Sequence, residues 1–152
     1  MHKYILFIFS LILYSCSTNS IENYHSLNHK SWHADSVLNF KYIIVDTIKR
    51  YDLSIKIRHT VDYEFQNLFL FLEGSHQDTI EIILSDKNGK WRGFGISDVR
   101  ELKYTFLKKR KFFESGKYNL YVEQAMRYGP KNRIDNLNHI LDVGLIIEES
   151  NE

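Results

Sequence analysis

The one thiol in this 152-residue chain, Cys16, closes an apolar run and is the side chain best placed to do chemistry. A thiolate is the nucleophile in cysteine chemistry. Leu13 stands three residues before it and the small Ser15 immediately before, which leaves a processing enzyme room to approach the bond ahead of the cysteine. The other chemical signals are weaker. His25, His29 and His33 fall four apart, the spacing of one helix face that holds a metal. The segment has no helix start signal and no carboxylate or second cysteine at matching spacing, so these read as linker histidines, and no metal is expected. Gly93-Phe94-Gly95 starts like a dinucleotide loop, but the third glycine and the strand-to-helix setting are missing. Asp86-Lys87-Asn88-Gly89 starts like a calcium loop, yet no bidentate acid follows at the required spacing, and it reads as a hairpin turn. No serine sits in a Gly-x-Ser-x-Gly turn. No catalytic residue and no diffusible cofactor are assigned.

After Met1-His2-Lys3, the stretch from Tyr4 to Tyr14 is almost entirely apolar. It has the length of a signal-peptide core and falls well short of the ~20 residues that a membrane-spanning helix needs. Leu13-Tyr14-Ser15-Cys16 resembles the lipobox of bacterial lipoproteins, with Tyr14 bulkier than the usual residue there. In that pathway the thiol is alkylated with diacylglycerol, the peptide is cut before the cysteine, and the new amino terminus is acylated. Residues 1–15 are thus expected to be a lipoprotein signal peptide, with covalent diacylglycerol and fatty acyl groups on Cys16. Each buried methylene of those chains contributes on the order of 0.8 kcal/mol, so two or three chains give stable membrane attachment. Removing residues 1–15 takes one base, Lys3, and no acid from twenty bases and nineteen acids. The exported part is neutral.

The elements that would follow are strands. Residues 16–31 are polar, small and without apolar periodicity, which reads as a lipidated cysteine followed by a flexible tether. From Trp32 onward a period of two dominates, and a folded domain is expected over 32–149. Leu53, Ile55 and Ile57 alternate with polar residues, Ile80, Ile82 and Leu84 with Thr79 and Glu81, and Tyr118, Leu120 and Val122 with Asn119, Tyr121 and Glu123, while Val143, Leu145 and Ile147 alternate near the C-terminus. Leu68 to Leu72 is apolar on both faces, as in a central strand. Weaker strands are expected over Ser36 to Ile44 and Leu102 to Leu107, and a short helix or compact loop over Pro130 to Leu141. Turn signals such as Glu73-Gly74-Ser75 and Ser115-Gly116 separate them. Seven or eight strands so spaced predict an all-β fold, an antiparallel β-sandwich of Greek-key or jelly-roll type. Ten Tyr and ten Phe suit pleated surfaces.

A formal net charge of +1 gives no sign of a nucleic-acid partner. The one dense basic run is Lys108-Lys109-Arg110-Lys111, followed by Phe112 and Phe113. It is either a solvated loop or a surface that touches anionic lipid head groups or an acidic partner.

Several strings, taken in order, resemble the GldH family of lipoproteins from gliding Bacteroidetes. They are Trp32 with Phe40 and Asp46, Tyr51-Asp52-Leu53, the run from Arg58 through Asp62-Tyr63-Glu64 to Leu68, and Asp78-Thr79. Gly89-Lys90-Trp91-Arg92-Gly93-Phe94-Gly95, Gly116-Lys117-Tyr118, Glu123 to Arg127 and Asp142 to Glu148 complete the set. The resemblance spans Trp32 to Glu148. It implies a lipid-anchored envelope component required for gliding, with other gliding-motility lipoproteins and type IX secretion components as partners and no catalytic residues. Ser17-Thr18-Asn19-Ser20 lacks the charged signal that sends many such lipoproteins to the cell surface, so the periplasmic side of a membrane is expected, the outer one first. Among the shared strings, Arg58, Glu123, Arg127 and Glu148 are charges set between apolar strand positions. They either pair across the sandwich, where losing one partner of a buried pair costs roughly 3 to 5 kcal/mol, or form a polar patch read by a partner. Trp32, Tyr63 and Trp91 are either core or exposed aromatic anchors for a partner. Two other functions stay open. A glycan-binding lipoprotein would show a planar row of exposed Trp or Tyr, and an envelope hydrolase would show acids or a His-acid pair converging in a pocket.

Overall fold

A computed structural model describes residues 20–75, 77–130 and 133–151. The signal peptide and Cys16 lie outside the described residues. Ten strands are present among those described: β1 (Ser20–Ser26), β2 (Ser31–His33), β3 (Leu38–Ile44), β4 (Arg50–Thr60), β5 (Asn67–Glu73), β6 (Asp78–Ile83), β7 (Val99–Lys111), β8 (Gly116–Gln124), β9 (Asn136–Asn138) and β10 (Ile140–Glu149).

The pairing is nested and antiparallel throughout. β1 pairs with β10, β2 with β9, β3 with β8, β4 with β7, and β5 with β6. The chain is therefore one long hairpin doubled at the β5–β6 turn. Cross-pairing of β10 with β4 and of β8 with β5 rolls that ribbon into two facing four-stranded sheets, β1-β10-β4-β7 and β3-β8-β5-β6. This is a jelly-roll sandwich, as the sequence predicts. β2 and β9 make a short separate ribbon.

The alternating residues supply the core. Leu53, Ile55 and Ile57 of β4 and Val143, Leu145 and Ile147 of β10 face Phe40 and Tyr42 of β3, Leu68, Leu70 and Leu72 of β5, and Val122 of β8. Each fully buried side chain of this size contributes about 1.5–3 kcal/mol. The buried Gln124 is partnered at both ends of its amide: it donates to the Ile134 carbonyl at 2.6 Å and accepts from the Met126 N–H at 3.0 Å.

The structure corrects two expectations. Residues 20–26, expected in the tether, form β1, hydrogen-bonded along its whole length to β10. Its polar side chains find local partners: Ser26 donates to Asp142 at 2.5 Å, and the His25 ring meets the Asn39 carbonyl at 3.0 Å while packing edge-on to Phe40. Between Pro130 and Leu141 the described residues form no helix; β9 and the start of β10 lie there instead. Gly144 is needed where β1 crosses β10. A Cβ there would meet the Tyr24 ring at 2.5 Å, so the bare backbone lets the ring lie flat on the sheet.

Candidate functional site

The four charged residues singled out in the sequence divide between the outer faces of the two sheets. Arg58 and Glu148 belong to the β1-β10-β4-β7 face. Arg58 pairs with Asp142 of β10, and Glu148 with Lys103 of β7. Both pairs join strands of the same sheet, and neither crosses the sandwich. The reason is the period of two: Ile55 and Ile57 point inward, so Arg58, one residue out of phase, points to solvent and is half exposed. Lys56 adds a pair to Glu101 at 3.1 Å and lies 5.7 Å over the Tyr24 ring. Bonding to the Tyr24 hydroxyl first, and to Glu101, raises the Lys56 pKa, so this ammonium stays charged. Tyr24, Lys56, Arg58 and Asp142 line a cleft of about 310 Å³ whose charges are already matched in pairs.

Glu123 and Arg127 sit on the opposite face, at the end of β8 and just beyond it, and form no ion pair among the described residues. Glu123 lines a cleft of about 620 Å³ with Phe71, Thr79 and Tyr121. Arg127 lines an adjoining one of about 320 Å³ with Phe69, Phe71 and Ala125. The outward residues of β5, β6 and β8 thus make an aromatic floor shared by two clefts. Phe71 is 42% exposed, Tyr121 39% and Ile83 38%. Glu73, Glu81 and Glu123 edge it with negative charge, and Arg127 closes one end. The apolar residues Phe69 and Phe71 were visible as a doubly apolar strand. Only the fold shows that their face is left uncovered.

The proposed aromatic anchors are placed elsewhere. Trp32 is fully buried, paired across β2–β9 with Leu137, and its indole N–H donates to the Ser36 carbonyl at 2.9 Å. Tyr63 is buried, donates to the Asn67 carbonyl at 3.1 Å, and burial pushes its phenol pKa far up. Trp91 is half-buried, edge-on to His59 at 4.7 Å. None of the three presents a fully exposed ring, which weighs against a glycan-binding row of tryptophans. Gly93-Phe94-Gly95 runs along the outer edge of β7. Gly93 has φ +80°, and a Cβ there would stand 2.1 Å from the Glu101 carbonyl oxygen, so the glycine serves backbone approach. In the Asp86 turn the carboxylate accepts the Asn88 and Lys90 N–H groups, each at 2.9 Å.

The basic run belongs to the end of β7 and is not a loop. Lys108, Lys109 and Lys111 are exposed, whereas Arg110 is half-buried. Of the two following aromatics, Phe112 is buried against Tyr42, Tyr51 and Tyr118, and Phe113 is exposed. His25, His29 and His33 fall in three different elements, and among the described residues no group of three or more His, Cys, Asp or Glu is placed to hold a metal.

Residues 19–147 match the family model described as GldH lipoprotein. The chain is 40% identical over 153 residues to a gliding motility lipoprotein GldH homolog of Christiangramia forsetii, covering 95% of this chain and 94% of that protein. It is 31% identical over 152 residues to the gliding motility lipoprotein GldH of Flavobacterium johnsoniae, again covering 95% and 94%. Among solved structures it is similar to the infectious bursal disease virus VP2 subviral particle, at a TM-score of 0.36 and 13% identity over 85% of this chain and 32% of that one. A likeness of that size carries no argument.

Proposed function

The chain belongs to the GldH lipoprotein family, and we propose from that membership that it is anchored in the bacterial envelope through acylated Cys16 and serves gliding motility and type IX secretion by binding other envelope proteins, without catalysing a reaction. Family membership, the apolar leader and the Leu13-Tyr14-Ser15-Cys16 string support the anchor. The reading puts the domain on the periplasmic side of the outer membrane. One observation carries the binding role: the aromatic floor around Phe71, open to solvent and edged by Glu123 and Arg127, which form no ion pair among the described residues. Aromatic centres within polar rims are where binding energy concentrates in protein interfaces. Partners would be other gliding-motility lipoproteins or type IX secretion components, presenting an apolar segment with basic flanks to meet Glu73, Glu81 and Glu123. The matched pairs around Arg58 and Asp142, by contrast, leave that cleft without an unpaired acid–base couple to offer a substrate.

The test is a cross-linked pull-down from solubilised envelopes with wild type, Cys16→Ala and Phe71→Glu. Wild type is expected to recover motility or secretion proteins. Cys16→Ala is expected to weaken recovery, and Phe71→Glu to abolish it while keeping the wild-type melting temperature. Recovery of none of these proteins by wild type would end the scaffold reading. Undiminished recovery by Phe71→Glu would move the binding surface off this face.

A further inference from the structure

We infer that the end of the sandwich bearing Lys108–Lys111 is a second membrane contact, a cationic and aromatic footprint that rests on an anionic phospholipid surface beside the acyl anchor. The inference rests on the reading that Cys16 is acylated. Its geometry comes from β-sheet register. Ser20, the first residue of β1, pairs with Glu148 of β10, and Glu148 pairs with Asp52 of β4. The Asp52 carboxylate accepts the Lys109 N–H of β7 at 2.8 Å. The start of β1 and the basic run therefore share one end rung of one sheet, three strand spacings or about 14 Å apart. Cys16 precedes Ser20 by four residues, a reach of at most about 14 Å in any conformation. Acyl chains on Cys16 thus bring this end of the domain, and no other, to the head groups.

What this end exposes suits that position. Val45 and Ile48 project from the β3–β4 turn and Phe113 from the β7–β8 turn, 80%, 89% and 82% exposed. They are among the most exposed large apolar residues of the chain, and they cluster where the anchor enters. Arg50, Lys108, Lys109, Lys111 and Lys117 surround them, each exposed and without an ion pair among the described residues. The Lys111 ammonium lies 5.8 Å over the Phe113 ring. The acids here are mostly engaged. Asp46 accepts the Ile48 N–H, Asp52 the Lys109 N–H and the Ser150 hydroxyl, Glu148 pairs with Lys103 and Glu149 with Lys49. Asp46, Asp52 and Glu114, which make no ion pair among the described residues, stand against five bases. Lys109 has φ +52° within the register irregularity between β4 and β7. Basic side chains around apolar tips are the make-up of surfaces that sit at a bilayer interface: the cations meet lipid phosphate and the rings enter the head-group layer.

The test uses full-length protein processed in its own envelope, purified and reconstituted into vesicles of brominated phosphatidylcholine with or without phosphatidylglycerol. Mass spectrometry of the product first establishes the acyl groups on Cys16. A Phe113→Trp variant then reports contact, because bromine quenches an indole only at the bilayer. Trp91 packs edge-on to His59, seven residues or about 24 Å along β4 from Asp52, so it stays bright. The introduced indole is expected to be quenched in phosphatidylglycerol vesicles, and less so as salt rises from 0.1 to 1 M and the Debye length falls from about 10 to about 3 Å. Adding Lys108→Gln, Lys109→Gln and Lys111→Gln is expected to shift docking toward the undocked state by on the order of a hundredfold, about fivefold per base. Acylated protein whose indole stays unquenched would overturn the contact, leave the anchor standing, and turn the basic run to an acidic protein. Quenching that ignores salt, lipid charge and the triple substitution would overturn the role of the bases. Absence of acyl groups would overturn the anchor and this contact with it.

Discussion

Lowering the pH should destabilise this domain through one buried imidazole, His59. Its ring is fully buried, edge-on to Trp91 at 4.7 Å and tilted against Tyr63 at 5.7 Å. Nδ1 lies 2.8 Å from the Thr60 carbonyl, which only accepts, so Nδ1 carries the proton of the neutral ring. Nε2 has no partner. Protonating it would place a charge among aromatic rings with nothing to receive the new N–H. Burial accordingly lowers the His59 pKa, against the Thr60 carbonyl, and nearby Arg100 lowers it further. The sign follows from linkage. A histidine whose folded pKa lies below its unfolded value of about 6.5 binds fewer protons in the native state, so stability is lost as pH falls below about 6.5 toward the folded pKa. The slope is at most about 1.4 kcal/mol per pH unit, and a ring that stays neutral throughout costs about 1.4 kcal/mol between pH 7.5 and 5.5. The assay is urea unfolding followed by tryptophan fluorescence at pH 7.5, 6.5 and 5.5, on wild type and His59→Phe. The phenyl ring keeps the aromatic packing and drops the hydrogen bond, a constant offset of about 1 kcal/mol. Wild type should lose stability faster than His59→Phe over this range, and carboxylate titration common to both cancels in the comparison. Parallel pH profiles would refute the reasoning, because they would mean that the native ring takes up its proton as readily as the unfolded one.

Phe40 is fully buried with His25 edge-on to it, so Phe40→Ala should cost about 3–5 kcal/mol by thermal or urea unfolding, with the secondary structure retained at low temperature. Gly144→Ala should cost about 1–3 kcal/mol, since its methyl group would overlap the Tyr24 ring. Combining it with Tyr24→Ala should recover most of the clash, so a double-mutant cycle showing simple additivity would count against this contact.

The strands that alternate cleanly were legible because one face of each is buried and the other is wet. Leu53–Ile57 and Ile80–Ile82 fall in β4 and β6 for that reason, whereas in β10 Gly144 and Ile146 on the outer face are buried as well. β1 was not legible, because Ser20–Ser26 is polar and holds its place with hydrogen bonds to β10, more than a hundred residues away. β2 and β9 are three residues each, too short to show a period. The charged positions were visible but not their partners: Arg58 finds Asp142 and Glu148 finds Lys103 through strand order alone. The Phe71 face was half legible. LFLFL predicts a strand covered on both sides, and the outer side stays open because no element of the described chain crosses it.

The misreading of β1 matters most for how the domain is held. A sixteen-residue flexible tether would have an r.m.s. span of roughly 22 Å and leave the sandwich free to tumble above the bilayer. With β1 locked to β10 along seven residue pairs, only three residues separate Ser20 from Cys16, and an anchor there would restrict rotation accordingly. If Cys16 is acylated as proposed, the strands would point away from the membrane, with the Trp32, Tyr63 and Trp91 end outermost. On that proposal the Phe71 face would become a side wall, turned toward neighbours held in the same membrane. Such a wall would meet partners by diffusion in two dimensions, with both proteins held at similar heights. That raises their effective concentration and lets a modest aromatic patch suffice where a free protein in solution would need a larger one. It also explains why losing the acyl group should weaken recovery of partners although Cys16 touches none of them.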